Sequence, residues 1–381
     1  MTPSSLIIGI DASRNRSGGA VAHVSGLMSG SDPREFGIGR VHLWGYNSLT
    51  EQIGNQPWLI KHDVPELTRG IAHQLWWQYA ELPRILDRLG CDIVFNTDAG
   101  SVCPTRRAAT LSQDMLSFEP GEMQRYGFSK ARMRLEALRS VQARSLRRAR
   151  LAVFLTEHAR KTILDEIGPV RQSIVIPHGI DKKFRAVASK RRLWPVGEPV
   201  QCLYVSNAAP YKHQWHVVNA ISALRHKGYS VQLTLVGGGS GASQARLECA
   251  IAHFDPEAFF VTQKGLVPND EIPDYLARSD LFLFASSCEN LPITMLEAMA
   301  SGIPICCSNR GPMPEVLGDA GSYFDPEVPA SIAEAVQSML NDETMRQSKA
   351  VSSLERSKAF TWARCANETW KALALACRSE A

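Results

Sequence analysis

The stretch of sequence that decides the fold is residues 286–304, which read SSCENLPITMLEAMASGIP. It follows the apolar run LFLFA at 281–285 and leads into a second apolar segment, Ile303–Cys307. Pro292 suits the first turn of a helix, where its missing N–H costs nothing, and Gly302 suits a helix end. The layout is therefore strand, loop, helix, glycine and strand, which is the repeating unit of a parallel α/β sheet.

The same alternation continues through the second half of the chain. The predicted strands there are Cys202–Ser206, Val231–Val236, Phe259–Val261, Leu281–Ala285 and Ile303–Cys307. The predicted helices are Gln214–His226, Gln244–His253, Asp270–Ser279, Ile293–Ala300 and Ala330–Leu340. The near-continuous apolar runs suit strands that are buried on both faces of a sheet.

The first half of the chain alternates in the same way. Its predicted strands are Leu6–Ile10, Val41–Tyr46, Asp92–Phe95, Ala108–Leu111, Leu151–Leu155 and Ser173–Ile176. Its predicted helices include Gly19–Met28, Glu66–Leu89, Ser129–Ala149 and Glu157–Glu166. Short apolar strands that alternate with amphipathic helices predict a second parallel sheet.

The domain boundary is predicted near Pro177-His178-Gly179. We assign residues 1–181 to a first domain and 200–360 to a second, with 182–199 as a polar, basic linker that lacks periodicity. The helical stretch Thr361–Cys377 is expected to pack back on the first domain, so that residues 361–381 return to it. The fold class is α/β, with two Rossmann-like domains that face a central cleft and place ligands at the carboxyl ends of their strands.

Composition excludes several classes of protein. The 381 residues are 44% hydrophobic and 21% charged, as in ordinary globular proteins. No run of about 18 apolar residues is present, and the N-terminus is typical of a strand rather than of a signal peptide. The nine cysteines are scattered without a Cys-x-x-Cys pair, which disfavours disulfides and structural zinc and fits a reducing cytoplasm.

One segment is strongly basic. Between 125 and 150 the only acidic residue is Glu136, and the basic ones are Arg125, Lys130, Arg132, Arg134, Arg139, Arg144, Arg147, Arg148 and Arg150. A solvated helix face is one explanation. Contact with an anionic membrane surface or a lipid-linked pyrophosphate is the other. Nucleic acid is disfavoured, because no aromatic residues interleave with the arginines at a stacking spacing.

Two carboxylates flank the predicted turn from strand to helix. Glu289 lies in the loop, and Glu297 lies about one turn into the helix. The helix N-terminus offers free N–H groups and the positive end of a dipole, which favour a phosphate or a polar sugar. Two carboxylates that accept hydroxyl hydrogen bonds suit a polyhydroxylated ligand, although the spacing alone also fits two surface glutamates.

The segment resembles the Glu-x7-Glu signature of the family-4 retaining glycosyltransferases, which have the GT-B fold. The resemblance covers nearly the whole chain, because further motifs of that family follow in its order. They are Gly18-Gly19, Ile176-Pro177-His178-Gly179-Ile180-Asp181, Tyr211-Lys212, Val236-Gly237-Gly238-Gly239, Lys264-Gly265 and Gly311-Pro312-Met313-Pro314-Glu315-Val316.

The resemblance implies a donor site centred on the second domain. Glu289 would contact hydroxyls of the donor sugar, Glu297 would hold the ribose hydroxyls, and Lys212 would neutralise the diphosphate leaving group. Glycines at 18 and 19 would let the backbone approach the donor from the first domain. The remaining donor-binding set is Asn207, Gly237, Lys264, Gly265, Leu266, Asn290, Leu291 and Ile293.

The chain departs from the family pattern at two places. Many members carry an arginine a few residues before the diphosphate lysine, whereas this chain has Asn207, which leaves Lys212 as the main cation. Many members also present a histidine from the first domain, but the matching segment here reads LSQDM at 111–115. Gln113 or Asp114 is expected to take that role. Asp114 suits acceptor contact or base chemistry, and it equally suits a helix cap.

The remaining candidates lie on the expected acceptor side. Glu119 and Arg125 follow Asp114 in the same loop region, and His178 lies beside the predicted linker, where it also suits a structural role in a turn. No Asp-x-Asp motif and no cluster with metal-ligand spacing occurs, so we predict transfer without a metal or a resident cofactor.

Together these features predict a retaining hexosyltransferase that moves a sugar from a nucleoside-diphosphate sugar to a hydroxyl of a glycan or a lipid-linked oligosaccharide. The NAAPYK and DMLSFE segments, at 207–212 and 114–119, resemble those of bacterial mannosyltransferases of O-antigen and polysaccharide assembly, so GDP-mannose is the predicted donor. The predicted location is the cytoplasm, including its membrane face. The alternatives are a nucleotide-sugar 2-epimerase of similar fold and a non-catalytic protein that binds sugar nucleotides.

Overall fold

The computed structural model describes residues 5–16, 18–190 and 194–378. The chain divides into two compact units. The first comprises Met1–Gly179 together with Thr361–Ala381, and the second comprises Ile180–Phe360. Each unit is built around its own parallel sheet.

The sheet of the first unit has seven parallel strands in the order β3-β2-β1-β4-β5-β6-β7. Its strands are β1 Leu6–Ala12, β2 Ile38–Gly45, β3 Leu59–His62, β4 Ile93–Asn96, β5 Ala108–Leu111, β6 Leu151–Phe154 and β7 Ser173–Val175. The order reverses between β1 and β4, so the first unit has a topological switch point there.

Helices cover this sheet. They are α1 Gly18–Gly30, α2 Asn47–Thr50, α3 Ile71–Trp76, α4 Leu82–Arg88, α5 Lys130–Arg148, α6 Glu157–Ile167 and the last helix of the chain, α15 Trp362–Arg378. The single helix predicted over 66–89 is wrong. Gly70, with a φ of 107°, separates a 3-10 turn from α3, and a π-helical turn at Trp77–Glu81 separates α3 from α4.

The last helix packs on the first helix of its unit, as the sequence predicts. A Cβ atom on Gly26 would lie 2.2 Å from the ring of Trp362, and one on Gly30 would lie 2.7 Å from the Cβ atom of Ala366. The two helices therefore approach so closely that only glycine fits at these two positions of α1.

The sheet of the second unit has six parallel strands in the order β10-β9-β8-β11-β12-β13, with its switch point between β8 and β11. The strands are β8 Val200–Val205, β9 Val231–Val236, β10 Val261–Lys264, β11 Leu281–Phe284, β12 Ile305–Ser308 and β13 Ser322–Phe324. The helices are α7 Lys182–Arg185, α8 Gln214–His226, α9 Gly241–Phe254, α10 Ile272–Arg278, α11 Ile293–Ser301, α12 Met313–Leu317, α13 Pro329–Asn341 and α14 Glu343–Ser357. Two parallel α/β units are thus confirmed.

Residues 182–199, which the sequence predicts to be a linker, start with ordered structure that belongs to the second unit. Helix α7 is followed by a 3-10 turn at Ala186–Ser189, and these two elements bury Phe184 and Val187. Arg185 donates hydrogen bonds to the carbonyl oxygens of Ser357 and Phe360, at 2.9 and 3.0 Å. These elements are too short to show helical periodicity in the sequence. Residues 191–193 of the predicted linker lie outside the described residues.

Candidate active site

The switch point of the second unit brings two of the predicted site residues together. Lys212 ends a 3-10 turn, Pro210–Lys212, in the connection after β8, and Glu289 lies in the loop after β11. Strands β8 and β11 are neighbours, but the connections that follow them lead in opposite directions along the sheet, to β9 and to β12. In open α/β sheets such a divergence leaves a crevice at the carboxyl ends, where ligands bind.

Lys212 and Glu289 form an ion pair in which Lys212 Nζ donates to Glu289 Oε1. The two side chains are only 11% and 16% exposed. The ammonium also lies 5.4 Å from the centre of the Phe284 ring and 5.1 Å from that of Tyr211. The cation is therefore held in a partly desolvated position, where its field on a bound anion is stronger than in bulk water.

A hydrogen-bonded link that the sequence does not indicate fixes the two loops to each other. The backbone N–H of Ser287 donates to the Tyr211 carbonyl at 2.9 Å, and the Ser287 hydroxyl lies 2.9 Å from His213 Nε2. His213 is buried and has a left-handed φ of 48°, which is uncommon outside glycine. The only sequence signal for this role is a histidine between the lysine and the following helix.

Glu297 lies in α11, the helix that follows the loop with Glu289, and it is 7% exposed. Burial raises the pKa of its carboxyl group to about 7, while a hydrogen bond from the Asn269 side chain and the nearby charge of Lys183 oppose that rise. The carboxyl group is thus partly protonated near neutral pH. A ligand that donated hydroxyl hydrogen bonds would favour its ionised form.

The start of α11 provides backbone donors beside these carboxylates. Pro292 precedes the helix, and no side chain among the described residues caps its first N–H groups. Asn290 and Leu291, which the resemblance implies as donor contacts, are each 6% exposed, and Ile293 is the first residue of the helix. Uncapped N–H groups at a helix start are suited to bind a phosphate.

Gly237 positions the loops that follow β9 and β10. Its φ is +130°, and a Cβ atom at this position would lie 2.3 Å from the Ser206 carbonyl oxygen. Its N–H donates to the carbonyl oxygens of Lys264 and Gly265, at 3.3 and 3.2 Å. Only glycine fits this arrangement, which explains the glycine that the resemblance identifies here.

The other donor candidates of the second unit lie at the same edge of the sheet but do not join the ion pair. Asn207 and Lys264 are exposed, and Leu266 is 89% exposed. Within the described part of the chain, no hydrogen bond or ion pair connects these three residues to Lys212 or Glu289. They remain predictions that depend on a bound ligand.

In the first unit, Gly18 and Gly19 begin α1. Gly18 has a φ of +62°, and a Cβ atom added to it would meet no other atom within 4 Å. The connection from β1 is fixed by Asp11, another residue that the sequence does not single out. Its carboxylate accepts hydrogen bonds from the Gln78 amide at 2.7 Å and the Ser13 hydroxyl at 2.5 Å. Burial raises the pKa of Asp11, which is consistent with a structural role.

Gln113 and Asp114 follow β5 in the first unit. The Gln113 amide donates to the Thr97 carbonyl at 2.8 Å. Asp114 Oδ1 accepts from the backbone N–H of Leu116 at 2.9 Å, and burial raises the pKa of this carboxyl group. Asp114 therefore closes a turn, and its raised pKa also makes it a stronger base than an exposed aspartate.

The remaining acceptor-side candidates have protein partners. Glu119 lies 2.9 Å from His158, and Arg125 forms an ion pair with Glu122 at 2.8 Å. His178 is buried and stacks on His23, with 4.5 Å between the ring centres. These contacts favour structural roles for all three.

The basic segment is more neutralised than its sequence indicates. Glu136 is its one acidic residue, but Arg125 pairs with Glu122 and Arg139 pairs with Glu166, and both glutamates lie outside the segment. Two further arginines donate to carbonyl oxygens, Arg147 to Ile167 and Arg150 to Ala376. Carboxylates from outside the segment and backbone carbonyl oxygens thus pair with about half of its basic residues.

Two kinds of feature are absent from the described residues. They contain no group of three or more histidine, cysteine or acidic side chains placed to hold a metal ion. None of their helices has both the length and the apolar character required to cross a bilayer. All nine cysteines are free thiols.

The second unit matches a known family. Residues 188–352 match the family model "Glycosyl transferases group 1". The chain therefore carries a group 1 glycosyltransferase domain, and that domain contains Lys212, Glu289 and Glu297.

Curated relatives of the chain have related names. The chain is 34% identical over 111 residues to the O-antigen chain mannosyltransferase B of Escherichia coli, a match that covers 29% of each chain. It is 29% identical over 206 residues to a GDP-mannose-dependent alpha-(1-6)-phosphatidylinositol monomannoside mannosyltransferase of Mycobacterium tuberculosis, covering 50% of this chain and 53% of that one. It is also 30% identical over 214 residues to a 2-deoxystreptamine glucosyltransferase of Streptomyces kanamyceticus, covering 53% and 54%. The chain thus spans about half, or less, of the length of these relatives.

Solved structures share the fold over nearly the whole chain. A sucrose-phosphate synthase of Thermosynechococcus elongatus superposes with a TM-score of 0.72 at 18% identity, covering 97% of this chain and 96% of that one. The Anabaena protein HepE, solved in complex with UDP and glucose, superposes with a TM-score of 0.71 at 17% identity, covering 97% and 100%. The fold predicted from the sequence, that of the GT-B glycosyltransferases, is confirmed.

Proposed function

We propose that this protein is a retaining glycosyltransferase that moves a hexose from a nucleoside-diphosphate sugar to a hydroxyl of a glycan or a lipid-linked saccharide. The observation that carries the proposal is the Lys212–Glu289 ion pair at the β8/β11 switch point, with the buried Glu297 in the adjoining helix. The ion pair and the uncapped start of α11 suit the diphosphate and the sugar of such a donor, and Glu297, about one turn into that helix, suits a further hydroxyl contact.

The proposed reaction exchanges one bond for another at the anomeric carbon. The bond from that carbon to the diphosphate oxygen breaks, a bond to the acceptor oxygen forms, and the acceptor hydroxyl loses its proton. Lys212 and the N–H groups at the start of α11 would stabilise the departing diphosphate, which carries the charge that develops in the transition state. Glu289 would accept hydrogen bonds from the sugar hydroxyls, and Glu297 would accept them from the ribose.

In the free protein Lys212 and Glu289 neutralise each other. A diphosphate that entered the crevice would compete with Glu289 for the ammonium and would free the carboxylate to meet the sugar. The ion pair therefore holds both groups ready at one rim, and we infer that donor binding rearranges it.

Mannose is the proposed sugar and GDP-mannose the proposed donor. The names of two relatives support this proposal, since both are called mannosyltransferases and one is called GDP-mannose-dependent. A glucosyltransferase lies at similar identity, so the choice of sugar requires a direct test.

Asp114 is the proposed group that contacts the acceptor hydroxyl or takes its proton. Burial raises the pKa of this carboxyl group, which makes it a stronger proton acceptor than an exposed aspartate and supports this role. We place the reaction in the cytoplasm, with the membrane face as the site of a lipid-linked acceptor. The basic residues of α5 that form no ion pair within the described ranges are available for such a contact.

A titration with GDP-, UDP-, ADP- and dTDP-sugars in EDTA tests the donor proposal, because a ligand that binds only the native state raises the melting temperature. GDP-mannose should give the largest shift, and product formation should require an acceptor. Turnover of the donor alone into an epimer would instead identify an epimerase. Binding without hydrolysis or transfer with any acceptor would identify a non-catalytic protein.

A further inference from the structure

The connection between β4 and β5 leaves a cavity on one face of the first sheet. Parallel neighbours are usually joined by a crossover helix that covers the sheet. Here residues 97–107 cross as a loop with no helix. A cavity of about 380 Å³ remains, bounded by this loop, the two strands and α5. Its volume lies within the range of small-molecule sites, which is roughly 300–1,000 Å³.

Asn96 lines the cavity and has a buried polar atom without a partner among the described residues. Asn96 is 2% exposed, and its amide nitrogen donates to the Thr110 hydroxyl at 3.1 Å. Its Oδ1 atom accepts no hydrogen bond from any described residue. A buried acceptor of this kind is costly unless a donor reaches it. The Asn96 carbonyl therefore points to a ligand or a water molecule that supplies a hydroxyl hydrogen.

The rim of the cavity carries two arginines, Arg144 and Arg148, which are four residues apart on α5. Side chains at this spacing lie side by side on one face of a helix. Both are exposed, and neither forms an ion pair or hydrogen bond with any residue in the described ranges. Guanidinium groups bind phosphate with two parallel hydrogen bonds, so this pair is suited to a phosphoryl group.

We propose that this cavity binds a phosphorylated polyol of the size of a sugar phosphate. The phosphate would lie on Arg144 and Arg148, and a hydroxyl would donate to Asn96 Oδ1. The same chemistry is present in a free hexose phosphate and in a phosphoinositol lipid headgroup. The cavity belongs to the first unit, whereas the Lys212–Glu289 pair belongs to the second. This proposal therefore does not depend on the proposed function.

Isothermal titration in EDTA without any sugar nucleotide tests the proposal. Glucose 6-phosphate should bind saturably at one site, and inorganic phosphate and glucose should each bind at least about tenfold more weakly, because each lacks one half of the recognised chemistry. A second experiment measures how much protein sediments with phosphatidylcholine vesicles that contain or lack phosphatidylinositol. Binding to the soluble ester assigns the site to a free metabolite, whereas binding confined to the phosphatidylinositol vesicles assigns it to a lipid headgroup.

Two variants distinguish the cavity from general charge attraction. In whichever of the two experiments detects binding, the double variant Arg144→Gln/Arg148→Gln should weaken that binding at least about tenfold. The control Lys130→Gln/Arg132→Gln removes the same charge from the same helix and should leave binding unchanged. Ser145→Phe, which fills the cavity while both arginines remain, should also abolish binding.

Three results would overturn the proposal. They are an equal loss of binding in the two double variants, inorganic phosphate that binds as tightly as glucose 6-phosphate, and no binding in either the titration or the sedimentation experiment. Unchanged melting temperatures of the variants would show that each loss is local rather than a failure to fold. Because no donor is present, the outcome is independent of glycosyl transfer.

Discussion

The Lys212–Glu289 pair should show a large coupling energy in a double-mutant cycle on the free protein. Lys212→Met leaves the Glu289 carboxylate, which is 16% exposed, without its counter-ion, and Glu289→Gln leaves the Lys212 ammonium, which is 11% exposed, in the same position. Exposed pairs contribute about 0.2–1 kcal/mol, and breaking a fully buried pair costs about 3–5 kcal/mol. This pair lies between the two cases. We therefore expect each single variant to lose about 2–3 kcal/mol of unfolding free energy, with a coupling of about 2 kcal/mol.

The assay is urea unfolding of the wild type, the two single variants and the double variant, read from the transition that nucleoside diphosphate shifts to higher urea. Lys358 and Glu355 form a matched control pair at 2.5 Å, with side chains 63% and 69% exposed. Their coupling should stay near about 0.5 kcal/mol or below. A coupling at Lys212–Glu289 no larger than that of the control would refute the conclusion that this pair is held in a desolvated position.

The other predictions concern pH and backbone geometry. Burial raises the folded-state pKa of Glu297 from 4.5 to about 7, so the folded protein binds this proton more tightly than the unfolded chain does. The contribution of this group to the free energy of unfolding is complete below pH 4.5 and is lost as the pH rises through 7. Glu297→Gln should therefore exceed the wild type in stability at pH 8 by up to about 3 kcal/mol, and a wild-type advantage there would contradict the assignment. Burial lowers the pKa of His23 to about 4, so the fold should lose up to about 3 kcal/mol as the pH falls from 6.5 to 4, and His23→Leu should reduce that slope in acid-unfolding curves. Gly237→Ala should lower the melting temperature clearly more than Gly228→Ala, which also has a positive φ but has open space around its Cβ position, and equal shifts would disprove the steric argument.

The sequence predicted the core strands of both sheets well, because buried parallel strands are continuous apolar runs. It missed β3 and β13, which are short strands at the sheet edges. It also placed a strand at Phe259–Val261, two residues too early. The Asp255 carboxylate accepts hydrogen bonds from the N–H groups of residues 259–261, at 2.7–2.9 Å, so a side chain rather than a neighbouring strand binds these three donors. A side-chain capture of this kind has no periodic signal.

The site was predictable where a motif encodes it and not where a three-dimensional contact creates it. Glu289, Glu297 and Lys212 were found from the signature, and the structure places the first and last of these in contact. The link between His213 and Ser287 depends on a left-handed histidine, which no spacing rule indicates. Likewise, Glu166 neutralises Arg139 from a different helix, so the sequence exaggerated the charge of α5.

Calorimetric titration of GDP into the wild type and into Lys212→Met, both in EDTA, tests the central claim most directly. The account predicts saturable binding of the diphosphate without metal, weakened about 10- to 100-fold in the variant, because a charge-assisted hydrogen bond contributes about 1.5–3 kcal/mol. GMP, which lacks the second phosphate, should bind the two proteins with nearly equal affinity. Equal affinity of both proteins for GDP, or no binding of any nucleoside diphosphate, would contradict the claim that this rim holds the leaving group.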